Sequence, residues 1–395
     1  MTESRRTAAP TVFAGVRLAC AWCAAMRPAD LDPWCAVCGG SLRAVFGPRS
    51  ARDLVTITLG EGDTPLLPVP RAGGAGVWAK AEWVNPTGSF KDRGSAVAVS
   101  AAVALGAPGV VVASAGNNAA SVSAYAARAG LPCIAVLPST TPQNKVIQAR
   151  AHGATVVPIA GDFSDAYRIA ELVRREAGWA NLTSTYLQPY MTAAHASIAD
   201  EIAAALDGVL GTIIVPVGAG PMLEGIVEGF DRLVGTGTLA AMPLVVGVQA
   251  AGCAPIAAAF DRGDEAVTAW PGAPSSIASS INDPLRGYAD DGTRTLRTLR
   301  RVGGLAVAVD DAAITDAMHD LGAREGMAVE PAAATPLAAL RALDVTRDVP
   351  RPVVLVLSGH VLKDPAHAVA SVDDSPVLDA PGALALVDGI VTRRG

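Results

Sequence analysis

The chain has 395 residues, which is enough for two or three domains with full hydrophobic cores. Hydrophobic residues make up 51% and charged residues 17%, a globular composition that argues against a disordered chain. The net charge of −6 argues against a dedicated nucleic-acid-binding protein, and no apolar run reaches the roughly 20 residues of a membrane span. No secretory signal is apparent, so we expect a cytoplasmic protein with no nucleic-acid or membrane partner.

Four of the six cysteines lie close together near the N-terminus: Cys20, Cys23, Cys35 and Cys38. They form two Cys-x2-Cys pairs, and thiolates at this spacing can both reach one tetrahedral zinc. Gly39 permits the tight turn after the second pair, whereas Ala24 stands where such knuckles usually have glycine. The alternatives are disulfides, which a cytoplasmic chain disfavours, or four incidental thiols. We predict a zinc ribbon over residues 1–45 that holds a structural zinc.

From about residue 75 onward, apolar runs alternate with alanine-rich stretches. The apolar runs predict buried strands at 109–114, 133–138, 155–161, 212–218, 244–250 and 352–359. The other stretches predict helices at 117–130, 142–153, 162–178 and from about 222 to 230, with Asp162 as an N-cap. Because the strands are continuously apolar, we expect parallel sheets that are covered by helices on both faces.

The segment 85–94, NPTGSFKDRG, presents Lys91 from a constrained loop at the start of a helix. The helix dipole disfavours a cationic lysine there, which favours the free amine that imine formation needs. Only four lysines occur in the chain, and arginine cannot form a Schiff base. From these residues alone, an ordinary lysine in a surface loop is an equally good interpretation.

The segment 217–222, VGAGPM, follows a buried strand and opens a helix. Backbone N–H groups at such a helix start bind phosphate, and glycines let the backbone approach it closely. Pro221 has no N–H, but proline is well tolerated in the first helical turn. A dinucleotide-binding turn is the alternative, although a full GxGxxG is absent.

Segment 85–94 resembles the lysine motif of threonine synthase, a member of the tryptophan-synthase-β-like (fold type II) pyridoxal-phosphate enzymes. Further segments match the family in order, from about residue 20 to 370: 114–121, 245–260, 275–284, 330–334 and 358–365. The resemblance implies an α/β fold with two parallel-sheet αβα domains, the cofactor between them and a small N-terminal zinc ribbon.

We expect the catalytic unit to span residues 46–370. Its large domain would comprise about 46–90 and 185–370, and its small domain about 91–184. Residues 371–395 are expected to form a C-terminal appendage, whose role the sequence does not indicate.

The resemblance also implies roles for individual residues. Lys91 would form the Schiff base with pyridoxal 5'-phosphate, and Asn117 would donate to the phenolic oxygen of the cofactor. Ser358 would lie at the pyridine nitrogen, where a neutral hydroxyl favours elimination and replacement over transamination. The N–H groups of Gly218, Ala219, Gly220 and Met222 would hold the cofactor phosphate. Ser114 and Asn118 would bind the substrate.

Substrate recognition departs from the family pattern. A common family version of the segment before the phosphate cradle reads like R-P-Y-Y-x-E-G-x-K-T, whereas residues 188–197 here read QPYMTAAHAS and hold no arginine, glutamate or lysine. His195 is the only potential cation of this segment, and it is mostly neutral at pH 7 if its pKa is unshifted. Ala115 and Asn118 also stand where the family usually has threonines. Arg93, Ser89, Asn118 and Tyr190 are donors that offer compensation.

The leading hypothesis is a lyase of the threonine-synthase type, which converts O-phosphohomoserine and water to threonine and phosphate. The alternative is a β-elimination or β-replacement lyase of the serine/threonine dehydratase or cysteate synthase type, acting on a different amino acid, phosphorylated or unphosphorylated. A cofactor-binding protein without activity, or a zinc-ribbon interaction module, is a further alternative. The sequence leaves a homodimer open, and it indicates no allosteric ligand.

Overall fold

The computed structural model describes residues 13–47, 49–114, 116–161, 163–346, 348–368 and 378–392, so the expected N-cap Asp162 lies outside the described residues. The described strands form three sheets. The strands are β1 Arg17–Cys20, β2 Met26–Pro28, β3 Leu42–Val45, β4 Leu66–Pro68, β5 Val77–Lys80, β6 Val110–Ala113, β7 Cys133–Pro138, β8 Thr155–Ile159, β9 Ala180–Asn181, β10 Thr212–Pro216, β11 Leu244–Ala250, β12 Leu305–Val309 and β13 Val353–Val356.

Helices connect most of these strands. They are α1 Lys91–Ala104, α2 Asn117–Ala129, α3 Gln143–Ala151, α4 Phe163–Ala177, α5 Pro189–Ala194, α6 Ala196–Ala205, α7 Pro221–Gly235, α8 Pro255–Arg262, α9 Ala289–Arg301, α10 Asp311–Glu325, α11 Pro331–Thr346, α12 Pro365–Ala368 and α13 Ala380–Thr392. Short 3₁₀ helices lie at Ala51–Leu54, Glu82–Val84, Ser279–Ile281 and Val361–Lys363. Among the described residues, no helix combines the length and the apolar character that a membrane crossing requires.

The larger sheet has six strands in the order β12-β11-β10-β13-β5-β4. Its neighbouring strands are parallel except for the edge strand β4, which pairs antiparallel with β5. Apolar side chains from α10 and α11 cover one face, and those from α6, α7, α8 and α9 cover the other. The central strand β13, whose sequence is VVLV, is fully buried because both faces are covered.

The smaller sheet is parallel throughout, with the strand order β8-β7-β6-β9. Helices α1 and α2 pack on one side, while α4 closes the other. The prediction of an α/β fold with two parallel sheets between helices is therefore confirmed. All strands of this sheet fall within 91–184 and all strands of the larger sheet fall outside it, which supports the proposed domain boundaries.

Strands β1, β2 and β3 form a separate antiparallel sheet, within the segment predicted as a ribbon. This sheet packs on the rest of the chain through an apolar cluster that includes Leu18 and Leu42, and through polar contacts. Tyr190 donates from its hydroxyl to the carbonyl of Asp30 at 2.9 Å, and Arg294 donates to Ser41 Oγ at 2.9 Å. The buried Arg294 also pairs with Glu224 of α7. Arg294 therefore joins the N-terminal sheet to the helix that follows β10.

Candidate active site

One cavity of about 490 Å³ lies where the carboxyl ends of β6, β9, β10 and β13 meet. Cofactors and substrates of parallel α/β proteins bind at this edge, and the volume falls in the range of ordinary ligand sites. Every residue that the sequence assigned to cofactor or substrate binding lines it. These residues are Lys91, Ser114, Asn117, Asn118, Gly218, Ala219, Gly220, Met222 and Ser358.

Hydrogen bonds from flanking motif residues fix the loop that carries Lys91. Asp92 accepts from the backbone N–H and the hydroxyl of Thr87, both at 2.6 Å. Phe90 N donates to the carbonyl of Ser358 at 3.0 Å, so the loop before α1 and the loop after β13 are joined. This contact brings Lys91 and Ser358 to the same wall of the cavity.

Lys91 is half-buried in the wall of the cavity, and its Nζ lies 2.8 Å from Ser184 Oγ and 4.6 Å from the centre of the Phe90 ring. Burial lowers the pKa of Lys91 to about 8, although Glu330 and Asp283 oppose this shift. A substantial fraction of the amine is therefore neutral at mildly alkaline pH. This is the state that attacks a carbonyl carbon.

Asn117 begins α2 and donates from Nδ2 to Glu330 Oε1 at 2.9 Å. The other carboxylate oxygen of Glu330 accepts from Ser280 Oγ at 3.0 Å. Glu330 belongs to segment 330–334, which resembles the family, but the sequence indicated no role for this residue. Its bond to Asn117 fixes the orientation of the amide, and the second N–H of the amide remains for a ligand.

The loop between β10 and α7 forms a backbone cradle. Gly220 has φ +112°, and a Cβ there would lie 2.0 Å from Thr295 Oγ1, so only glycine fits. Among the described residues, no hydrogen bond from the amides of Gly218, Ala219 or Gly220 is seen. Unpaired donors at a helix start fit an anionic group such as a phosphate.

Ser114 and Asn118 also line the cavity, while Ala115 between them is outside the described residues. Asn118 donates from Nδ2 to the carbonyl of Leu182 at 2.9 Å, and its buried Oδ1 has no partner among the described residues. The bond to Leu182 uses only one of the two N–H groups of the Asn118 amide. Backbone N–H groups in the first turn of α2 offer further donors for a substrate carboxylate.

Segment 188–197 forms α5 and the start of α6, and Met191 and His195 line the cavity. Burial, followed by the nearby charges of Lys91 and Arg93, lowers the pKa of His195 to about 3. The imidazole is therefore neutral at physiological pH. It does not replace the cations that the family pattern places in this segment.

The compensating donors named from the sequence are only partly free. Arg93 forms buried ion pairs with Glu82 and Glu201 at 2.8 and 2.6 Å, and Tyr190 donates towards the N-terminal sheet. The hydroxyl of Ser89 is buried without a partner among the described residues. Other cations line the cavity instead, and sequence reasoning missed them as site residues: Lys145, Arg286 and Lys363.

The cysteine cluster lies at the turns of the N-terminal sheet. Its four sulfur atoms lie within 4.8 Å of one another, and no disulfide joins them. Tetrahedral zinc at about 2.3 Å from each sulfur requires sulfur separations of about 3.8 Å, so the cluster needs little adjustment to hold zinc. Ala24 has φ +60° and Gly39 has φ +72°, so both knuckles turn in the left-handed conformation despite the missing first glycine.

The donor set of the cavity fits pyridoxal phosphate. A depressed-pKa lysine, a cradle of unpaired amides and an oriented asparagine amide meet in one cavity, with the buried hydroxyl residue Ser358 beside the lysine loop. These are the groups that the aldehyde, the phosphate, the phenolic oxygen and the pyridine nitrogen of this cofactor require.

Comparisons with known proteins agree with this fit. Residues 57–359 match the family of pyridoxal-phosphate dependent enzymes. The chain is 36% identical to threonine synthase of Methanosarcina acetivorans over 82% of this chain and 80% of that protein. It is 33% identical to threonine synthase of Mycobacterium leprae over 82% of this chain and 89% of that protein.

Solved structures share the fold. A threonine deaminase from T.th. is 28% identical, with a TM-score of 0.61 over 76% of this chain and 89% of that chain. A maize serine racemase superposes with a TM-score of 0.68 at 20% identity over 87% of this chain and 97% of that chain, which shows the fold alone. The chain belongs to the pyridoxal-phosphate dependent enzymes of fold type II and is a lyase of the threonine synthase type.

Proposed function

We propose that the chain converts O-phosphohomoserine and water to threonine and inorganic phosphate. The observation that carries this proposal is the pair Lys145 and Arg286, which line the cavity of a threonine-synthase-like lyase together with Lys91 and Lys363. A substrate phosphate carries nearly two negative charges and needs such partners. The cations come from α3 and from the loop before α9, and they would supply the charge that segment 188–197 lacks.

Pyridoxal phosphate, when bound, withdraws electrons from the α-carbon of the amino acid. The residues of this chain would then position the substrate and move protons. Lys91, in hydrogen-bond contact with Ser184, would take the α-proton and return protons to the carbon chain. The first turn of α2 would hold the substrate carboxylate, and Lys145 would hold the leaving phosphate.

A substrate panel tests this proposal. We expect phosphate and threonine to form from O-phosphohomoserine, and little keto acid or ammonia to form from serine, threonine or homoserine. Because segment 188–197 lacks a cation, we also expect a higher KM than that of the Methanosarcina acetivorans relative measured alongside. Turnover of serine or threonine without turnover of the phosphorylated substrate would overturn the assignment and favour the β-elimination alternative.

Substitution of Lys145 should affect activity on O-phosphohomoserine more than activity on unphosphorylated serine. Lys145→Met removes the charge with little change in length, and each charge-assisted hydrogen bond is worth about 1.5–3 kcal/mol. We therefore expect the KM for O-phosphohomoserine to rise about ten- to a hundredfold, with little change in any residual activity on serine. Equal losses on both would show that Lys145 acts through its bonds to Ser279 and Asp364.

The hydroxyl of Ser358 is proposed to face the pyridine nitrogen. Ser358→Asp would place a carboxylate there and stabilise a proton on that nitrogen, so transamination should rise relative to the native reaction. Ser358→Asn is the matched control, since asparagine has the shape of aspartate without its charge. Product analysis of keto acid and pyridoxamine phosphate measures the ratio. An unchanged ratio in folded Ser358→Asp protein would place Ser358 elsewhere.

The cysteine cluster is proposed to hold one structural zinc. Metal analysis should find one zinc per chain, and Cys23→Ser should lose it and unfold at lower temperature. Cys253→Ser is the control, because Cys253 is buried far along the chain from the cluster and should leave the zinc content unchanged. Zinc-free wild-type protein would contradict the proposal.

A further inference from the structure

Helix α9 contacts both the phosphate cradle and the N-terminal sheet. On the side of the cradle, the fully buried Thr295 donates from Oγ1 to the carbonyl of Ala219 at 2.6 Å. The same hydroxyl lies against Gly220, where a Cβ would approach it to 2.0 Å. Thr295 therefore holds two of the residues whose backbone N–H groups are assigned to the cofactor phosphate.

Arg294, the preceding residue of α9, contacts the N-terminal sheet. Its Nη1 donates to Ser41 Oγ at 2.9 Å and to the carbonyl of Leu42 at 3.1 Å. Its Nε donates to both carboxylate oxygens of Glu224 at 3.0 Å. Arg294 is only 5% exposed, so water does not replace an acceptor that moves away. The position of the guanidinium therefore depends on the N-terminal sheet.

Tyr186 connects Arg294 to Thr295. The guanidinium carbon of Arg294 lies 4.2 Å from the centre of the Tyr186 ring, and the hydroxyl groups of Tyr186 and Thr295 are hydrogen-bonded at 2.9 Å. Tyr186 is fully buried, and close packing leaves little room to absorb a displacement. A continuous set of buried polar contacts thus runs from the N-terminal sheet to the phosphate cradle.

The acceptors of Arg294 lie beside the cysteine cluster. Leu42 faces Cys20 in the antiparallel pair of β1 and β3, and the carbonyl of Ser41 accepts from the N–H of Ala21 at 3.0 Å. Both residues therefore follow the second cysteine pair and contact the first. A zinc ion bound by both pairs would fix this contact, since small metal-binding segments depend on the metal for their fold.

We propose that Arg294 and Thr295 are positioning residues through which the zinc-bound N-terminal sheet sets the affinity of the cradle for the cofactor phosphate. Loss of the metal would loosen the acceptors of Arg294, and the displacement would reach the cradle through Tyr186 and Thr295. The inference rests on the proposed assignments of the cysteine cluster to zinc and of the cradle to the cofactor phosphate. It is independent of which amino acid the enzyme converts.

Substitutions in α9 test the contact with the cradle. Apoenzyme is titrated with pyridoxal phosphate and with pyridoxal, which has the same aldehyde and no phosphate, and binding is followed by absorbance. Thr295→Val removes the hydroxyl at similar volume, so the binding of pyridoxal phosphate should weaken about two- to tenfold while that of pyridoxal is unchanged. Thr295→Ser should retain both affinities. Thr293→Val is the matched control, because the hydroxyl of Thr293 accepts from the N–H of Val267 instead.

The contact with the N-terminal sheet is tested in two ways. Ser41→Ala removes one acceptor of Arg294 and keeps all four cysteines, whereas chelation removes the zinc itself. Each should weaken the binding of pyridoxal phosphate relative to pyridoxal by about twofold or more. In Thr295→Val protein, zinc removal should add little, because the connection is already broken. In Thr293→Val protein, zinc removal should have its full effect.

Four outcomes would overturn the proposal. Additive effects of zinc removal and Thr295→Val would show that the two act separately, and equal weakening of pyridoxal phosphate and pyridoxal would show a general loss of packing. Wild-type protein without zinc would refute the metal assignment. Unchanged cofactor affinities in Ser41→Ala protein would refute the coupling, and this variant decides if chelation unfolds the chain. Failure of the substrate panel alone would leave these affinities, and this inference, unaffected.

Discussion

Replacing Lys91 with arginine is expected to abolish covalent attachment of the cofactor and to lower turnover by on the order of 10³-fold or more. Arginine keeps the positive charge of the site, but its guanidinium stays protonated and cannot attack the aldehyde. The structure supports the assignment because burial lowers the pKa of Lys91 to about 8 at the start of α1. Loss of visible absorbance and of turnover would both be measured.

The other lysines of the cavity supply the controls. Lys145 and Lys363 line the same cavity, so the scarcity of lysines in the sequence does not by itself select Lys91. Lys145 binds Ser279 and Asp364, which leaves one of its three donors for a phosphate, and Lys363 binds Gln148, so we expect neither to form the Schiff base. Lys145→Arg and Lys363→Arg should therefore retain covalent attachment.

Borohydride reduction of the holoenzyme followed by peptide mapping locates the attachment directly. We expect the pyridoxyl group on the peptide that contains Lys91. A modified Lys145 or Lys363, or a coloured Lys91→Arg protein with normal turnover, would contradict both the cofactor assignment and the mechanism built on it.

The strands of both sheets were predictable because burial on two faces demands continuous apolar sequence. Residues 133–138 and 244–250 form strands with the bounds that the sequence indicated. The edge strand β4, its four-residue neighbour β5 and the two-residue β9 were missed, because such short segments carry no periodic signal. Strand β12 was missed as well, since its five residues are only partly buried.

The cofactor residues were predictable because each belongs to a local motif with its own loop geometry. The partners of these residues were not predictable. Glu330 reaches Asn117 across 213 positions of sequence, and Ser184 reaches Lys91 across 93. Lys145 lies in a stretch for which the sequence predicted only a helix, and its place in the cavity depends on the tertiary structure. Sequence patterns record periodicity and turns, whereas these contacts depend on tertiary structure.

The second large effect concerns stability beneath the active site. Glu201 of α6 binds Lys80 Nζ at 2.6 Å and Arg93 Nη1 at 2.6 Å, and both cations are almost fully buried. When Glu201 is replaced, Arg93 keeps its ion pair with Glu82. Lys80, however, would lose the only side chain among the described residues that accepts a hydrogen bond from it. Glu201→Gln is therefore expected to lower the free energy of unfolding by about 3–5 kcal/mol, since it leaves buried charge uncompensated.

The neighbouring residue provides the matched control, because Asp200 of the same helix pairs with Arg232 at the surface. Asp200→Asn should lower the free energy of unfolding by less than about 1 kcal/mol.

Acid titration gives a second signature of the ion pairs of Glu201. The hydrogen bond and charge of Arg93 lower the pKa of Glu201 to about 2 despite its burial. Its contribution is therefore full above the usual glutamate pKa and is lost as the pH falls from about 5 towards 2. Chemical denaturation across that range should show a steeper loss of stability in wild type than in Glu201→Gln, and equal slopes would mean that Glu201 is not the group that stabilises Lys80 and Arg93.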